Sequence, residues 1–368
     1  MNTVPTITHG SITGMTGNDQ RPVYFLQIGK ATKPTLTVKG EQKKPDGEIS
    51  IKWSSKLMKN VNDQQVNTKI MSAHEITVFK ASARVFLAAE PKKLLALADN
   101  NLTWVKMPFL QGLSDADFWK KNDEGKYEII PTDVKTILKR FTDSTAWGQL
   151  GKIIAVDLFN GNGDRFTSQG HWQNMGNVMF QKQANDIKVV GLDTFDPNSH
   201  SSNLTTMTVH SNGELDVLKS PHAMRTFAEK VIESVEGEII RGLKKSGTNS
   251  FTVMSNNVPV KIDENSSGFL AGYTDDLATG LDQGAKKLKI YLQTKKIKYK
   301  PLPQAPQMGG FPNKPLPPVP QRPGFPNKPL PKPPGFRHPV PNYQAPPPPG
   351  QQKSIPQGIL DRMTYLGW

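Results

Sequence analysis

The sequence contains no cysteine, which excludes several kinds of chemistry at once. Without cysteine there is no disulfide framework, no thiolate metal site and no cysteine nucleophile. Apolar runs of the ~20 residues that a bilayer crossing needs are also missing. Residues 1–18 lack the basic start and apolar run of a secretory signal. We therefore expect a cytoplasmic protein, or one that is exported by a route that needs no such signal.

Acidic side chains are in the minority. There are 46 Lys and Arg against 32 Asp and Glu, for a net charge of +14. Residues 301–368 carry seven of the basic residues and one acidic residue, so +6 of the charge lies there and +8 in the rest. The excess is either a solvated basic surface or a means of attracting nucleotides or an anionic membrane. Zinc-finger spacing and ribonucleoprotein motifs are missing, so we do not expect nucleic-acid binding.

Proline is scarce in most of the chain and dense in one stretch. Ten of the 31 prolines precede residue 300, and the other twenty-one lie between Pro301 and Pro356. Dense proline removes the backbone donors that helices and sheets need, so residues 300–352 are predicted to be a disordered polyproline II linker. The short segment 353–368 is rich in apolar side chains and either docks or frays.

Hydrophobic periodicity predicts an α+β body. Alternation over residues 23–28 and 35–41 indicates a hairpin, and residues 103–112 form a further short strand. A second hairpin is predicted from residues 177–181 and 187–193, followed by a long loop over 194–220. Apolar residues at helical spacing predict helices over 48–61, 132–159, 224–243 and 274–295.

Residues 151–193 hold the polar side chains that phosphoryl transfer from ATP uses, in the order in which kinases have them. One carboxylate must orient the acceptor hydroxyl, while an amide oxygen and a second carboxylate must hold magnesium against the phosphates. Asp164 follows the predicted helix, Asn177 opens the first strand of the hairpin, and Asp193 closes the second. Both the order and the structural context fit that chemistry.

Two motifs carry a resemblance to a known group. NGDRF and GNVMF resemble the split D-R-H…G-N-(I/V) catalytic loop of atypical kinases, which include HipA-like toxin kinases, phosphatidylinositol 3- and 4-kinases and kinase-like bacterial effectors. Asp157, Asn162, Asp164 and Arg165 are similar to their D-x-x-x-x-N-x-D-R pattern. TWVKMPFLQG resembles the hinge strand that binds adenine, and TLTVKGE the strand with the phosphate-binding lysine. The resemblance covers about residues 5–245.

The resemblance implies a two-lobed protein-kinase-like fold that uses ATP and Mg²⁺. A flexible polar N-terminus would span 1–20, a small β-rich N-lobe with its hinge 21–112, and a larger helical C-lobe 113–299. By the same resemblance Arg165 is structural. The implied site residues are catalytic Asp164, the metal ligands Asn177 and Asp193, phosphate-binding Lys39 with Glu48 as its acidic partner, and Lys106, Met107 and Phe109 of the hinge.

Two departures from the family pattern put activity in doubt. Phe166 stands where the family has histidine after Asp-Arg. Residues 167–176 are inserted before Asn177, where the family has only a few residues. The insertion could displace Asn177 from the metal, with Asn174 or His171 in its place. A catalytically inactive scaffold therefore stays an alternative to an active kinase.

The proline-rich tail contains spacings that polyproline-binding domains recognise. The eight residues GFPNKPLP occur twice, and both copies lead into a basic-x-x-P-x-x-P arrangement, at 314–320 and 328–334. Residues 317–322 fit the reversed orientation, and the four prolines at 346–349 suit profilin-like or EVH1-like grooves. SH3 grooves bind such pre-extended segments, and repeated copies raise avidity. The alternative is a spacer without a partner.

Together these features predict an ATP- and magnesium-dependent atypical kinase that phosphorylates Ser or Thr of a host protein. SH3-type partners are largely eukaryotic, which favours a secreted bacterial effector of the type III kind that acts in the host cytoplasm. The alternatives are the inactive scaffold, a phosphoinositide kinase, or a nucleotidyltransferase that binds ATP in the reversed orientation.

Overall fold

A computed structural model describes residues 4–18, 21–42, 47–62, 68–110, 113–114, 141–174, 177–183, 186–192, 204, 212–246, 250–255, 258–298 and 355–368. One compact unit consists of residues 1–295 together with 356–368. The other, 296–355, contains the proline-rich stretch, which lies outside the described residues with all of its recognition motifs. The first unit is α+β, as the periodicity predicts.

A five-stranded antiparallel sheet forms the N-terminal half. Its strands are β1 (Ser11–Asn18), β2 (Arg21–Gln27), β3 (Leu36–Gln42), β4 (Lys69–Ile70) and β5 (Leu102–Pro108), in the order β1-β2-β3-β5-β4. The predicted hairpin of 23–28 with 35–41 is confirmed, because β2 pairs with β3 and Tyr24 lies opposite Val38. The predicted strand over 103–112 is β5, which pairs with β3 on one side and β4 on the other.

Three helices accompany this sheet: α1 (Gly47–Val61), α2 (Ala73–Phe86) and α3 (Pro91–Ala98). The predicted helix over 48–61 is α1. Helix α2 begins in a capping box, in which the Ser72 hydroxyl accepts from the Glu75 amide and the Glu75 carboxylate accepts from the Ser72 amide. Phe79 of α2 packs on Tyr24 and Trp104 of the sheet, so the core of this half lies between α2 and the sheet.

The middle of the chain carries the candidate site on α4 (Ser144–Asn160), β6 (Leu113–Ser114), β7 (Val178–Gln183) and β8 (Asp186–Gly191). The strand order is β6-β7-β8, and the predicted hairpin of 177–181 with 187–193 is confirmed by the β7–β8 pairing. Helix α4 begins at Asp143, whose side chain caps the Ala146 amide, and ends at left-handed Gly161, φ 70°. Residues 132–140 of the predicted helix lie outside the described residues.

The last part of the body comprises α5 (Asn212–Val217), α6 (Pro221–Ser246), the hairpin of β9 (Ser250–Ser255) with β10 (Val258–Asp263), and α7 (Thr274–Lys298). The predicted helices over 224–243 and 274–295 are confirmed as α6 and α7. The prediction of a loop throughout 194–220 is wrong at α5. Helix α7 approaches α4 through glycine: a Cβ on Gly280 would lie 2.2 Å from the Gly148 carbonyl oxygen.

The C-terminal segment docks on this body and does not fray, which decides between the two alternatives that the sequence leaves open for residues 353–368. Helix α8 (Gln357–Tyr365) buries Ile359 and Met363 completely. Beyond it, the Trp368 ring stacks on Phe159 of α4, with centroids 5.8 Å apart and an interplanar angle of 4°. The Tyr365 hydroxyl donates to Asp216 Oδ1 at 2.7 Å. The C-terminal segment is therefore packed on the body through its helix and through its last residue.

Candidate active site

The structure brings together two of the three residues implied for catalysis and metal binding. Asp164 lies in the turn after α4, and Asn177 immediately precedes β7. The Asn177 side-chain nitrogen donates to Asp164 Oδ2 at 2.5 Å, and the Asn174 side-chain nitrogen donates to the same oxygen at 3.4 Å. Asp164 is half buried, so its carboxylate is held by amide donors while part of it remains open to solvent.

Arg165 fastens the segments that carry these residues. Its guanidinium is fully buried and forms an ion pair with Asp157 of α4. Arg165 Nε donates to the Asn177 carbonyl at 3.0 Å, and Nη2 donates to the Leu192 carbonyl. The Leu192 amide in turn donates to the Asn177 carbonyl at 2.9 Å. One side chain thus joins the helix, the start of β7 and the end of β8, which is the structural role that the resemblance implies.

Asp157 is the buried counter-charge of this arrangement. Burial raises the pKa of its carboxyl to about 6, against the opposing effects of Arg165 and of the Asn162 side chain, which donates to Asp157 Oδ1 at 3.3 Å. At neutral pH the group is therefore still ionised and paired with the guanidinium. Asn162 also accepts from the Asp164 amide at 3.2 Å, which links the buried pair to the turn of the candidate catalytic carboxylate.

The insertion 167–176 does not separate Asn177 from Asp164. Its described residues, 167–174, form a tight excursion in which the Trp172 ring stacks on that of Phe166 with centroids 5.6 Å apart, and the two residues form a β-bridge. The excursion rests on α6, because the Trp172 amide donates to Ser234 Oγ at 3.0 Å. Of the two alternative ligands, Asn174 joins Asn177 at Asp164, whereas His171 is exposed.

Lys39 lies on β3 as expected, but its acidic partner is not the expected one. Lys39 Nζ lies 2.8 Å from Glu41 Oε1, and both side chains are mostly buried. Glu48, the partner chosen from the sequence, is 54% exposed in the first turn of α1 and lies 3.8 Å from Lys52. The reason is local: side chains two apart on a strand share a face, whereas Glu48 belongs to the next element.

The three hinge residues divide between the two faces of β5. The Lys106 side chain points toward α2, where it pairs with buried Glu75 and donates to the Pro5 carbonyl at 2.7 Å. The Lys106 side chain is therefore engaged on the α2 side of β5. Met107, on the opposite face, packs against Val190 of β8.

Phe109, just beyond β5, is half buried, and its ring meets Phe25 edge to face at 5.2 Å. Its amide donates to the Thr35 carbonyl at 2.9 Å, so the chain leaving β5 stays beside the start of β3. Phe109 is thus fixed beside β3 through both its ring and its amide.

Asp193, the second implied metal ligand, lies outside the described residues. Its neighbour Leu192 is described and is bonded through both its amide and its carbonyl, as given above. In the described part of the chain, no group of three or more His, Asp or Glu side chains is arranged to hold a metal ion.

Sequence reasoning missed two acidic residues that shape this half of the protein. Glu41 could have been found from the strand alternation, because it lies two positions from Lys39 on β3. Glu75 is marked by the S-x-x-E capping box at the start of α2. Its carboxylate also accepts from the Ile7 amide at 2.9 Å, which ties the N-terminal stretch to the helix.

Comparison with known proteins adds nothing to these contacts: no family model, curated protein or solved structure matches the chain. Of the helices that the structure describes, none has the length and apolar character needed to span a membrane.

Proposed function

We propose that this protein is an ATP- and magnesium-dependent atypical kinase that transfers the γ-phosphate to a Ser or Thr hydroxyl of a protein. The observation that carries the proposal is the contact between Asp164 and Asn177, which are thirteen residues apart in the chain. Phosphoryl transfer needs a carboxylate for the acceptor and an amide oxygen for the metal, side by side. A buried arginine holds both segments in place, which is what a site that works by positioning requires.

The roles follow from the atoms that face each other. Asp164 would orient the acceptor hydroxyl and receive its proton. The Asn177 side-chain nitrogen is directed at Asp164. Its side-chain oxygen would therefore be the atom that binds the cation. Asp193, the residue after Leu192, would supply the second ligand. Carboxylate and amide oxygens are the hard donors that Mg²⁺ prefers, so the residues present suit this ion. Bound Mg²⁺ would neutralise charge on the phosphates.

The nucleotide would lie between the five-stranded sheet, as the N-lobe, and the part of the body that carries α4, as the C-lobe. Lys39 lies directly opposite Val105 in the β3–β5 pairing, so the candidate phosphate ligand and the candidate hinge are neighbours. Met107 and Val190 form an apolar contact that is suited to an adenine ring. Glu41 would keep Lys39 extended along the sheet until a phosphate competes for it.

The experiment is a transfer assay with the full chain, Mg²⁺ and host lysate, using ATP labelled at the γ- or the α-phosphate. Kinase activity transfers the γ-label only. Asp164→Asn should lower transfer at least about a hundredfold, since it removes the group that handles the proton. Asp143→Asn is the matched control. It makes the same chemical change at the other end of α4, where asparagine can still cap the Ala146 amide. Transfer that survives Asp164→Asn or Asp193→Ala would refute the assignment.

A second candidate, an inactive ATP-binding scaffold, is favoured by one observation. Phe166 replaces the family histidine and is buried against Trp172, where it can neither donate nor accept a proton. A scaffold would be stabilised by Mg-ATP in a thermal shift assay and would transfer neither label. Transfer of the α-label would instead indicate a nucleotidyltransferase, and γ-label in the lipid fraction a phosphoinositide kinase.

The proline-rich stretch supplies the partners in this proposal. Residues 314–320, 317–322 and 328–334 would bind SH3-type or profilin-like domains of a host cell, consistent with an effector that is secreted without a conventional signal. A pull-down with isolated SH3 domains, repeated after Pro317→Ala and Pro331→Ala, tests this. Binding that is unaffected by both substitutions would exclude these motifs.

A further inference from the structure

Helix α1 carries a row of lysines on one face. Lys52, Lys56 and Lys59 are spaced i, i+4 and i+7, so they lie one above another along the helix. The opposite side of α1 is the buried one, with Ile51, Leu57 and Met58 among its members. The lysine row therefore points away from the core, and none of the three side chains is fully buried.

Helix α7 brings a second row beside the first. Lys287, Tyr291 and Lys295 are spaced i, i+4 and i+8 on this helix. Lys287 Nζ donates to the carbonyl of Val61, the last residue of α1, at 3.3 Å. At the other end of the contact, Lys295 and Lys52 both act electrostatically on Lys56. The helices thus run antiparallel along this face, and their lysines lie close enough to act on one another electrostatically. We call this surface the two-helix basic face; it consists of Lys52, Lys56, Lys59, Lys287, Tyr291 and Lys295.

Like charges crowd around Lys56 in the two-helix basic face. Glu48 lies 3.8 Å from Lys52, at the outer end of the row, and is 54% exposed. Burial, followed by the charges of Lys295 and Lys52, lowers the pKa of Lys56. Crowding of like charges raises the free energy of the protein alone, and an anionic surface that covers the face would relieve it.

We propose that the two-helix basic face binds the surface of an anionic phospholipid membrane. Its cations are all lysines, which act as hydrated point charges and suit a diffuse field, whereas the arginine fork suits discrete phosphates and bases. Beside the face, Ile290 of α7 is 65% exposed and adjoins Tyr291. An exposed isoleucine among lysines is typical of a helix that lies in the membrane interface, and it contributes nothing to nucleic-acid binding.

This inference does not rest on the proposed kinase activity, since no residue of the face belongs to the candidate active site. It gives part of the body's positive charge a function. From the composition alone, that charge could be either a solvated surface or a binding surface for an anionic partner. If both proposals hold, α1 and α7 would bring the active site close to substrates at the membrane surface.

The test is co-sedimentation of the full chain with vesicles of phosphatidylcholine alone or of phosphatidylcholine with 30% phosphatidylserine. We expect binding only to the second, with affinity that falls as salt is raised. Each lysine at an anionic surface is worth about fivefold in affinity, so Lys52→Gln, Lys56→Gln and Lys295→Gln together should cost about a hundredfold. The matched control neutralises three exposed lysines elsewhere, Lys30, Lys92 and Lys244, and should retain most of the binding.

Ile290→Asn supplies the second test, with several-fold weaker vesicle binding and no change in net charge. The thermal midpoint of each variant is measured so that a folding defect is not taken for lost binding. Equal loss in the triple variant and its control would overturn the proposal, as would an unchanged triple variant. A third outcome would also overturn it: vesicles bind neither the natural protein nor the triple variant, while RNA or an acidic peptide binds the natural protein and not the triple variant.

Discussion

Replacing Met363 by alanine tests the docking of the C-terminal segment most directly. The Met363 side chain is 0% exposed in α8, in the segment that follows the proline-rich stretch 300–352. Truncating a buried methionine to alanine removes the transfer free energy of the lost atoms and leaves a cavity, at a cost of about 2–5 kcal/mol. The neighbouring Thr364→Ala is the control, because Thr364 is exposed and donates only to the helix at Leu360.

The free energy lost in Met363→Ala, compared with the contacts that hold the C-terminal segment, determines how often the segment undocks. The segment is held by two fully buried aliphatic side chains, by the Trp368–Phe159 stack and by the Tyr365–Asp216 hydrogen bond. A ring stack contributes about 0.5–1.5 kcal/mol beyond its buried area. A loss of about 2–5 kcal/mol is a large part of such a contact set, so the segment should undock in a large fraction of molecules before the body unfolds.

Hydrogen exchange and limited proteolysis of the full chain measure this. The amides of α8 should exchange faster in Met363→Ala, and cleavage should fall first within or just before the helix, while Thr364→Ala behaves as the natural sequence. Trp368→Ala should act in the same direction. The docking would be refuted if the α8 amides of the natural protein already exchanged as fast as those of Met363→Ala, that is, if the substitution left the exchange unaltered.

Three further predictions concern the body. Burial raises the pKa of Glu75, but hydrogen bonds and the Lys106 ion pair outweigh burial and lower this pKa to about 2. The ionised carboxylate should therefore add about 3 kcal/mol to the unfolding free energy above pH 4.5, and this contribution should vanish as the pH falls toward 2. The difference in unfolding free energy from Glu75→Gln should shrink over that range in urea titrations, and a constant difference would contradict this. Arg165→Lys should destabilise the protein by about 3–5 kcal/mol, since an ammonium cannot make the same three bonds, and an unaltered thermal midpoint would argue against the clamp. Gly280→Ala should cost about 1–3 kcal/mol by forcing two helices apart, whereas Gly272→Ala, which has open space around it, should be near neutral.

Local patterns were sufficient wherever one segment decides its own structure. Residues 48–61, 224–243 and 274–295 show apolar spacing that only a helix can bury on one side, and the structure has helices there. The hairpins were predictable for the same reason, because alternation sets which face of a strand is buried. Helix α5 was missed because six residues are too few to show a period, and its position depends on neighbours.

Pairing between charges was only partly predictable from the sequence. Glu48 was chosen as the partner of Lys39 by analogy, whereas strand alternation already places Glu41 on the same face of β3 as Lys39. The Lys106–Glu75 pair joins β5 to α2, thirty-one residues apart in the chain. This second pair depends on which face of β5 meets α2, and that is a property of the assembled sheet.

The absence of cysteine already determined that this protein has no disulfide framework. The order of Asp164, Asn177 and Asp193 along the chain made these residues the candidates for a site. Only the tertiary structure decided that Asp164 and Asn177 touch across the insertion, and that the end of the chain packs against the helix leading to the site. Such contacts join residues far apart in sequence, and their free energy comes from burial that no single segment can achieve alone.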